Sequence, residues 1–205
     1  MGNALALESD LPGPALLRAL NGLSPEVFFT RATSIPPSFR VRAATRRVYR
    51  YFEFAPPARA GRWQEAARCF SGEVDVRSLG RGLPTGSPQW RTVDAVDVVS
   101  GPGGLVIEVR ARSFVWGMVR KIVGALREVD AGRLSAARLR RALAGTERLT
   151  LPMAEAEPLV LWDVEFPIEW PFTWTGPNRH QARGWEEARA QAVARQRLVD
   201  AVAPS

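Results

Sequence analysis

The chain has 205 residues, a formal net charge of +7, and 46% apolar against 24% charged residues. That balance supports at least one packed core and excludes both a disordered chain and one built from long apolar membrane spans. A single cysteine, Cys69, and a single histidine, His180, exclude an internal disulfide, a thiolate zinc site and a multi-histidine metal centre within one chain.

The opening residues carry no basic region and reach Glu8 early, so no secretory leader is expected. Residues 3–8 read as a short strand. Gly13-Pro14 opens a helix that ends near Asn21-Gly22, and Val27 to Ala32 reads as a strand. Pro36-Pro37-Ser38 is a linker. Arg47 to Phe54 is aromatic and extended, hence a strand. Gly61 to Phe70 is helical, with Trp63, Ala66, Ala67 and Phe70 on one side. Residues 71–91 are rich in Gly, Pro and Ser and read as loop. Val93 to Val99 and Leu105 to Arg112 are strands joined at Gly101-Pro102-Gly103-Gly104. In the second, Leu105, Ile107 and Val109 face one way and Val106, Glu108, Arg110 and Arg112 the other. Phe114 to Val129 is an apolar helix. Ser135 caps a shorter one that stops near Ala144-Gly145, and Leu159 to Phe166 is a strand.

The order from 47 to 166 is β-α-β-β-α-(α)-β, the split, ferredoxin-like unit. An α+β fold is therefore expected, with an antiparallel or mixed sheet and helices on one face. The order from 3 to 32 is only β-α-β, half of such a unit, which cannot bury its sheet face alone. It either joins the second sheet or belongs to a chain that has lost its beginning. Three regions are expected: residues 1–34 as the second half of an N-terminal α/β domain, 38–167 as the complete unit, and 168–205 as an appended segment. The last holds Trp170 and Trp174 and a charged helix from Trp185 to Val202.

Arginine makes up 27 of the 28 basic residues, and Lys121 is the sole lysine. The guanidinium fork suits phosphates and base edges, although GC-rich coding also replaces lysine by arginine. The densest cluster runs from Ser38 to Tyr51. It holds Arg40, Arg42, Arg46, Arg47 and Arg50, both tyrosines of the chain, and no acid. Cations for phosphates beside rings for stacking are what an RNA site needs. The competing reading is an edge strand kept soluble by charge. In the apolar helix, Arg120 and Lys121 interrupt the pattern. Arg120 there either forms a structural ion pair or reaches water, or it holds a carboxylate or phosphate in a cleft.

Three motifs in this order, Arg47-x-Tyr49-x-Tyr51, Gly72-Glu73-Val74-Asp75-Val76-Arg77-Ser78-Leu79 and Phe114-x-x-x-Met118-Val119-Arg120-x-Ile122-Val123-Gly124, resemble the tRNA pseudouridine synthase A family. The segment from Leu151 to Leu159 is similar to that family's link into its last strand, so the resemblance covers residues 2 to 167. It implies the pseudouridine synthase fold, tRNA as partner and isomerisation of uridine to pseudouridine in the anticodon arm. It further implies no cofactor and no metal, a homodimer and a cytoplasmic location. In the family an Asp carboxylate starts cleavage of the glycosidic bond of a flipped uridine. Arg120 matches the arginine that pairs with that carboxylate, and Tyr49 the tyrosine against the target base. Arg40, Arg42, Arg46, Arg47 and Arg50 would bind the tRNA backbone. The chain departs from the pattern in one decisive place. The family's nucleophile lies in an Arg-Thr-Asp-x-Gly-Val motif, and none of Asp10, Asp75, Asp94, Asp97, Asp130, Asp163 and Asp200 has that context. The chain is therefore expected to lack the N-terminal part with the catalytic loop and to be inactive alone. The alternative is a non-catalytic RNA-binding module of ferredoxin-like fold. Lys121 stands where the family pattern leads one to expect Asn.

Overall fold

The computed structural model describes residues 3–23, 27, 29–80, 89–101, 103–173, 182–184, 186–187, 189–191 and 193–194. The chain divides into two units, residues 1–5 with 40–167 and residues 6–39 with 168–205.

In the second of these, helix α1 (Gly13–Leu23) follows Pro12 as the Gly-Pro opening predicts. Its buried Asn21 donates Nδ2 to the Phe29 carbonyl at 2.9 Å and accepts from the Phe29 amide at 2.8 Å, so the side chain supplies the pairing that a strand neighbour would. Strand β1 (Arg31–Ala32) pairs antiparallel with a strand at Phe172–Thr173. The expected strand over 27–32 is thus only two residues long, and residue 28 lies outside the described set. The expected strand at residues 3–8 is absent. This stretch is largely exposed and has no pairing neighbour among the described residues, and apolar alternation without a neighbour makes no ladder. Trp174 and much of the expected helix from Trp185 to Val202 lie outside the described residues.

The other unit is built on β2 (Arg46–Glu53), α2 (Ala60–Ala67), β3 (Gly72–Asp75), β4 (Trp90–Gly101), β5 (Gly104–Ala111), α3 (Met118–Asp130), α4 (Ala136–Leu143) and β6 (Leu159–Glu165), with β7 (Phe172–Thr173) closing the chain order in its partner unit. The five strands lie in the order β3-β4-β5-β2-β6, every pair antiparallel. Without β3 this is the ferredoxin-like order, now with a short edge strand added. The loop expected over 71–91 contains that strand, four residues long. Its turn-rich neighbours hid it.

The alternation read in β5 holds. Leu105, Ile107 and Val109 are fully buried, with Glu108 and Arg110 half-buried on the opposite side. A bulge at Asp94 in β4 reverses the face parity, and this lets Val93 join Val96 and Val98 in the core. Tyr51, Trp63, Phe70, Ile122, Val123 and Leu126 complete that core against α2 and α3. Each large side chain so buried contributes about 1.5–3 kcal/mol. Ser135 accepts from the Arg138 amide at 3.3 Å and caps α4 as expected. The helix expected from Phe114 begins only at Met118. Gly117, at φ +78°, turns the chain in a conformation that few side chains tolerate.

Helix α3 is held by the segment 151–155. The Ala154 amide donates to the Arg120 carbonyl at 3.1 Å, and Arg120 Nε donates to the Ala154 carbonyl at 2.5 Å. One turn on, a Cβ at Gly124 would stand 2.1 Å from the Pro152 carbonyl oxygen. One turn further, Arg127 Nη1 donates to Glu155 at 2.7 Å and Nη2 to the buried Glu53 at 2.9 Å. Arg120, Gly124 and Arg127 share one helix face. Alanine at position 124 gains about 1 kcal/mol in helix propensity. The clash is with backbone, however, and outweighs it. Gly124→Ala is expected to lower stability by about 2 kcal/mol, read as a lower urea midpoint at unchanged m-value.

Asp75 ends β3 almost fully buried. Arg77 donates its amide to it at 2.8 Å and its Nε at 2.7 Å, and reaches the Gly145 carbonyl behind α4 with Nη2 at 3.0 Å. Burial pushes the Asp75 carboxyl up, but the Arg77 bonds and charge win and hold it below the ordinary range. A depressed carboxyl contributes stability above its unfolded pKa and loses it as pH falls through the folded value. Below about pH 4, the Asp75→Asn protein should therefore lose stability less steeply than the parent, as read from thermal unfolding at stepped pH.

Candidate active site

Tyr49 lies in the middle of β2, a strand rich in aromatic and β-branched residues. It is half-buried, and its ring meets Phe114 edge to face, with centroids 4.9 Å apart at 78°. Phe114 belongs to the loop that leaves β5 and turns at Gly117 into α3, and Met153 closes over that turn. Three residues past the turn, Arg120 is half-buried in the first turn of α3. Its Nε bond to Ala154 fixes the guanidinium, while its two terminal nitrogens bond nothing among the described residues. The motif that contains Arg120 thus builds three things together: the ring that touches Tyr49, the glycine turn, and an arginine aimed by a carbonyl.

Tyr51, two residues on, faces the same core deeper in. It is fully buried, donates to Glu155 at 3.2 Å and receives Arg127 Nη2 at 3.4 Å. Burial pushes its phenol up to about 12, aided by Glu155 and opposed by Arg127. Tyr51 is a structural tyrosine, and only Tyr49 is available to a ligand. Lys121 donates Nζ to the carbonyls of Ser78 at 3.2 Å and Gly80 at 3.1 Å, so it ties the Gly72-to-Leu79 motif to α3.

The five arginines of the basic cluster divide. Arg46 faces Asp94 at 3.4 Å and Glu165 at 3.3 Å. Arg50 pairs with Glu108 at 2.7 Å, directly opposite in β5, and lies over the Trp162 ring at 3.8 Å. Glu108 also receives Arg110 at 2.6 Å, which in turn binds Asp97. Arg40 is exposed. Arg42 and Arg47 make no ion pair among the described residues. Arg47 donates Nη1 to the Arg112 carbonyl at 2.5 Å and Nη2 to the Arg42 carbonyl at 3.0 Å. It thereby gathers Arg42, Arg47 and the exposed Arg112 at one edge. Arg112 does not stand out in the sequence. Its one signal there is its place at the end of the alternating strand whose Ala111 lies opposite Arg47.

A family model described as tRNA pseudouridine synthase matches residues 66–167. The tRNA pseudouridine synthase A of Methanosphaerula palustris is 35% identical over 201 residues, which is 97% of this chain and 70% of the relative. That of Thermococcus kodakarensis is 35% identical over 160 residues, 78% of this chain and 60% of the relative. That of Klebsiella pneumoniae is 30% identical over 184 residues, 81% and 64%. The chain therefore spans 60–70% of the length of these relatives. The similarity to the Methanosphaerula relative covers the strands and helices that carry Tyr49, Phe114 and Arg120, and the chain belongs to the tRNA pseudouridine synthase A family.

Proposed function

We propose that this chain supplies the base-binding wall and the counter-ion arginine of a tRNA pseudouridine synthase, which isomerises uridine to pseudouridine in the anticodon arm of tRNA. The observation that carries this reading is Arg120. It is half-buried and anchored through Nε to Ala154, with its terminal nitrogens open, and it follows directly on the loop whose Phe114 props Tyr49.

In the reaction the N–C glycosidic bond breaks, the uracil turns, and a bond from carbon to the ribose replaces it, so the composition of the nucleoside is unchanged. The target base must leave its stack, and Tyr49 offers a ring for it to lie against. The carboxylate of the Arg-Thr-Asp loop starts the cleavage. Arg120 takes that carboxylate with its terminal nitrogens, which keeps it ionised and oriented in a partly dry site. Arg42, Arg47 and Arg112, unmatched by carboxylates among the described residues, hold the backbone phosphates. Arg46 and Arg50 contribute less, because Asp94, Glu165 and Glu108 already neutralise them. The reading carries with it a homodimer and a cytoplasmic location. Among the described residues no helix is long and apolar enough to cross a membrane.

A second reading, an RNA-binding module without catalysis, is favoured by one observation: none of the seven aspartates follows Arg-Thr. Pseudouridine content of a tRNA after incubation separates the two. The 205-residue chain alone is expected to form none. Turnover is expected when a polypeptide carrying the Arg-Thr-Asp loop is supplied, in the same chain or beside it. In that active form, Arg120→Lys should lower kcat by roughly 100-fold, the scale of losing one placed charge donor, with tRNA affinity unchanged. Full turnover by the short chain would place the nucleophile elsewhere.

Binding gives a separate check on the 205 residues themselves. Removing one cation from a phosphate flattens the slope of log K against log salt by about 0.7–0.9. Arg42→Ala with Arg47→Ala should flatten it by about two such steps, and Arg46→Ala with Arg50→Ala by far less. Equal slopes for the two double variants would leave the cluster as surface charge without a part in binding.

A further inference from the structure

Trp116 is 60% exposed, although tryptophan is among the side chains with most to gain from burial. Single exposed apolar residues are common and mean little alone. Its surroundings distinguish this one. Trp116 lies two residues past Phe114, whose ring meets Tyr49, and four before Arg120, so its Cα is at most about 7 Å from that of Phe114. It follows the exposed Arg112, which Arg47 joins through the Arg112 carbonyl. The sequence from 109 to 127 and the sequence from 38 to 52 contain no Asp or Glu. The other exposed rings of this unit have different settings. Phe52 is less exposed and lies at the far end of β2 from Arg47. Phe54 shares a hollow with the carboxylates of Glu53 and Asp130, and Trp90 leans on Gly145 near Asp75.

We infer that Trp116 is a stacking platform for a nucleobase of single-stranded RNA, one step along the strand from the base that lies against Tyr49. This rests on the tRNA reading above and adds a second base subsite to it. The physical reason is the stacking that flipping removes. When a uridine leaves its stack, the neighbouring base loses a partner over one of its faces. An indole face presented beside the site replaces that partner, and the arginines gathered at the same edge hold the phosphates between the two bases. Because every base has a π-face, the contact tolerates any neighbour and adds affinity without reading sequence.

The test uses the 205-residue chain and a full-length tRNA transcript, with Kd measured by filter binding over a series of NaCl concentrations. Trp116→Ala should raise Kd at least about fivefold at every salt concentration, the loss of one stacked base, while leaving the salt slope unchanged. Trp116→Phe should keep most of the affinity, and Trp116→Leu, which is apolar but has no ring, should behave like alanine. The Tm of all three should stay close to that of the parent. The tRNA-induced quenching of tryptophan fluorescence should shrink in Trp116→Phe. Wild-type affinity in Trp116→Ala, or equal losses in Ala and Phe accompanied by a lower Tm, would overturn the stacking role alone. A parent chain that shows no salt-dependent tRNA binding would overturn this role together with the reading beneath it.

Discussion

The backbone of residues 151–155 runs against one face of α3, and the rest of the site depends on that contact. A helix placed on a sheet by apolar packing alone is free to slide or roll by small amounts. Here two backbone-anchored bonds at Arg120 and Ala154, a glycine that admits the Pro152 carbonyl, and the Arg127 pairs with Glu155 and Glu53 fix both its roll and its height. Burial supplies most of the free energy of the fold, and these polar contacts select one arrangement within it. The arginine at the helix start is aimed by the same contacts that hold the helix, so its side chain is oriented in advance of any ligand.

The opposite face of the sheet shows why net charge is a poor guide to a binding surface. A charge of +7 suggests a broad basic footprint, yet Arg50 and Arg110 are drawn into a ladder with Glu108 and Asp97, and Arg46 sits between Asp94 and Glu165. Glu108 and Asp97 stand directly opposite each other in the register, an unfavourable like-charge pair that the two arginines offset. The guanidinium groups without a carboxylate partner among the described residues include Arg42, Arg47 and Arg112, where β2 begins and β5 ends.

Much of this was legible in the residues, wherever the signal was local. The alternation in β5, the Ser135 cap and the Gly-Pro start of α1 each depend on neighbours within a few positions. Arg120 could be singled out because it breaks a local pattern, and Tyr49 only through the family motif it matches. Glu165 and Glu108 could not be assigned to Arg46 and Arg50, because they lie 119 and 58 positions away and meet them only through strand register. For the same reason the bonds that tie Tyr51 to Glu155 and Arg127 could not be read from the residues. The strand expected at 3–8 failed because a strand is defined by its neighbour. β3 was missed because an edge strand of four residues carries too short a pattern to rise above Gly-rich surroundings.

The position of β2 has a consequence for how the chain is made. It sits between β5 and β6, and it leaves the ribosome well before either of them. Until they emerge, its main-chain donors and acceptors have no partner on either side, in a segment rich in aromatic and β-branched residues. Such a segment can pair with another nascent chain. Arg46, Arg47 and Arg50 punctuate it and repel a second copy during that interval. The arrival of Glu108 and then Glu165 neutralises Arg50 and Arg46 as β5 and β6 dock on either side. Arg46 and Arg50 thus serve first as gatekeepers against misassembly and afterwards as the pairs that mark the correct neighbours.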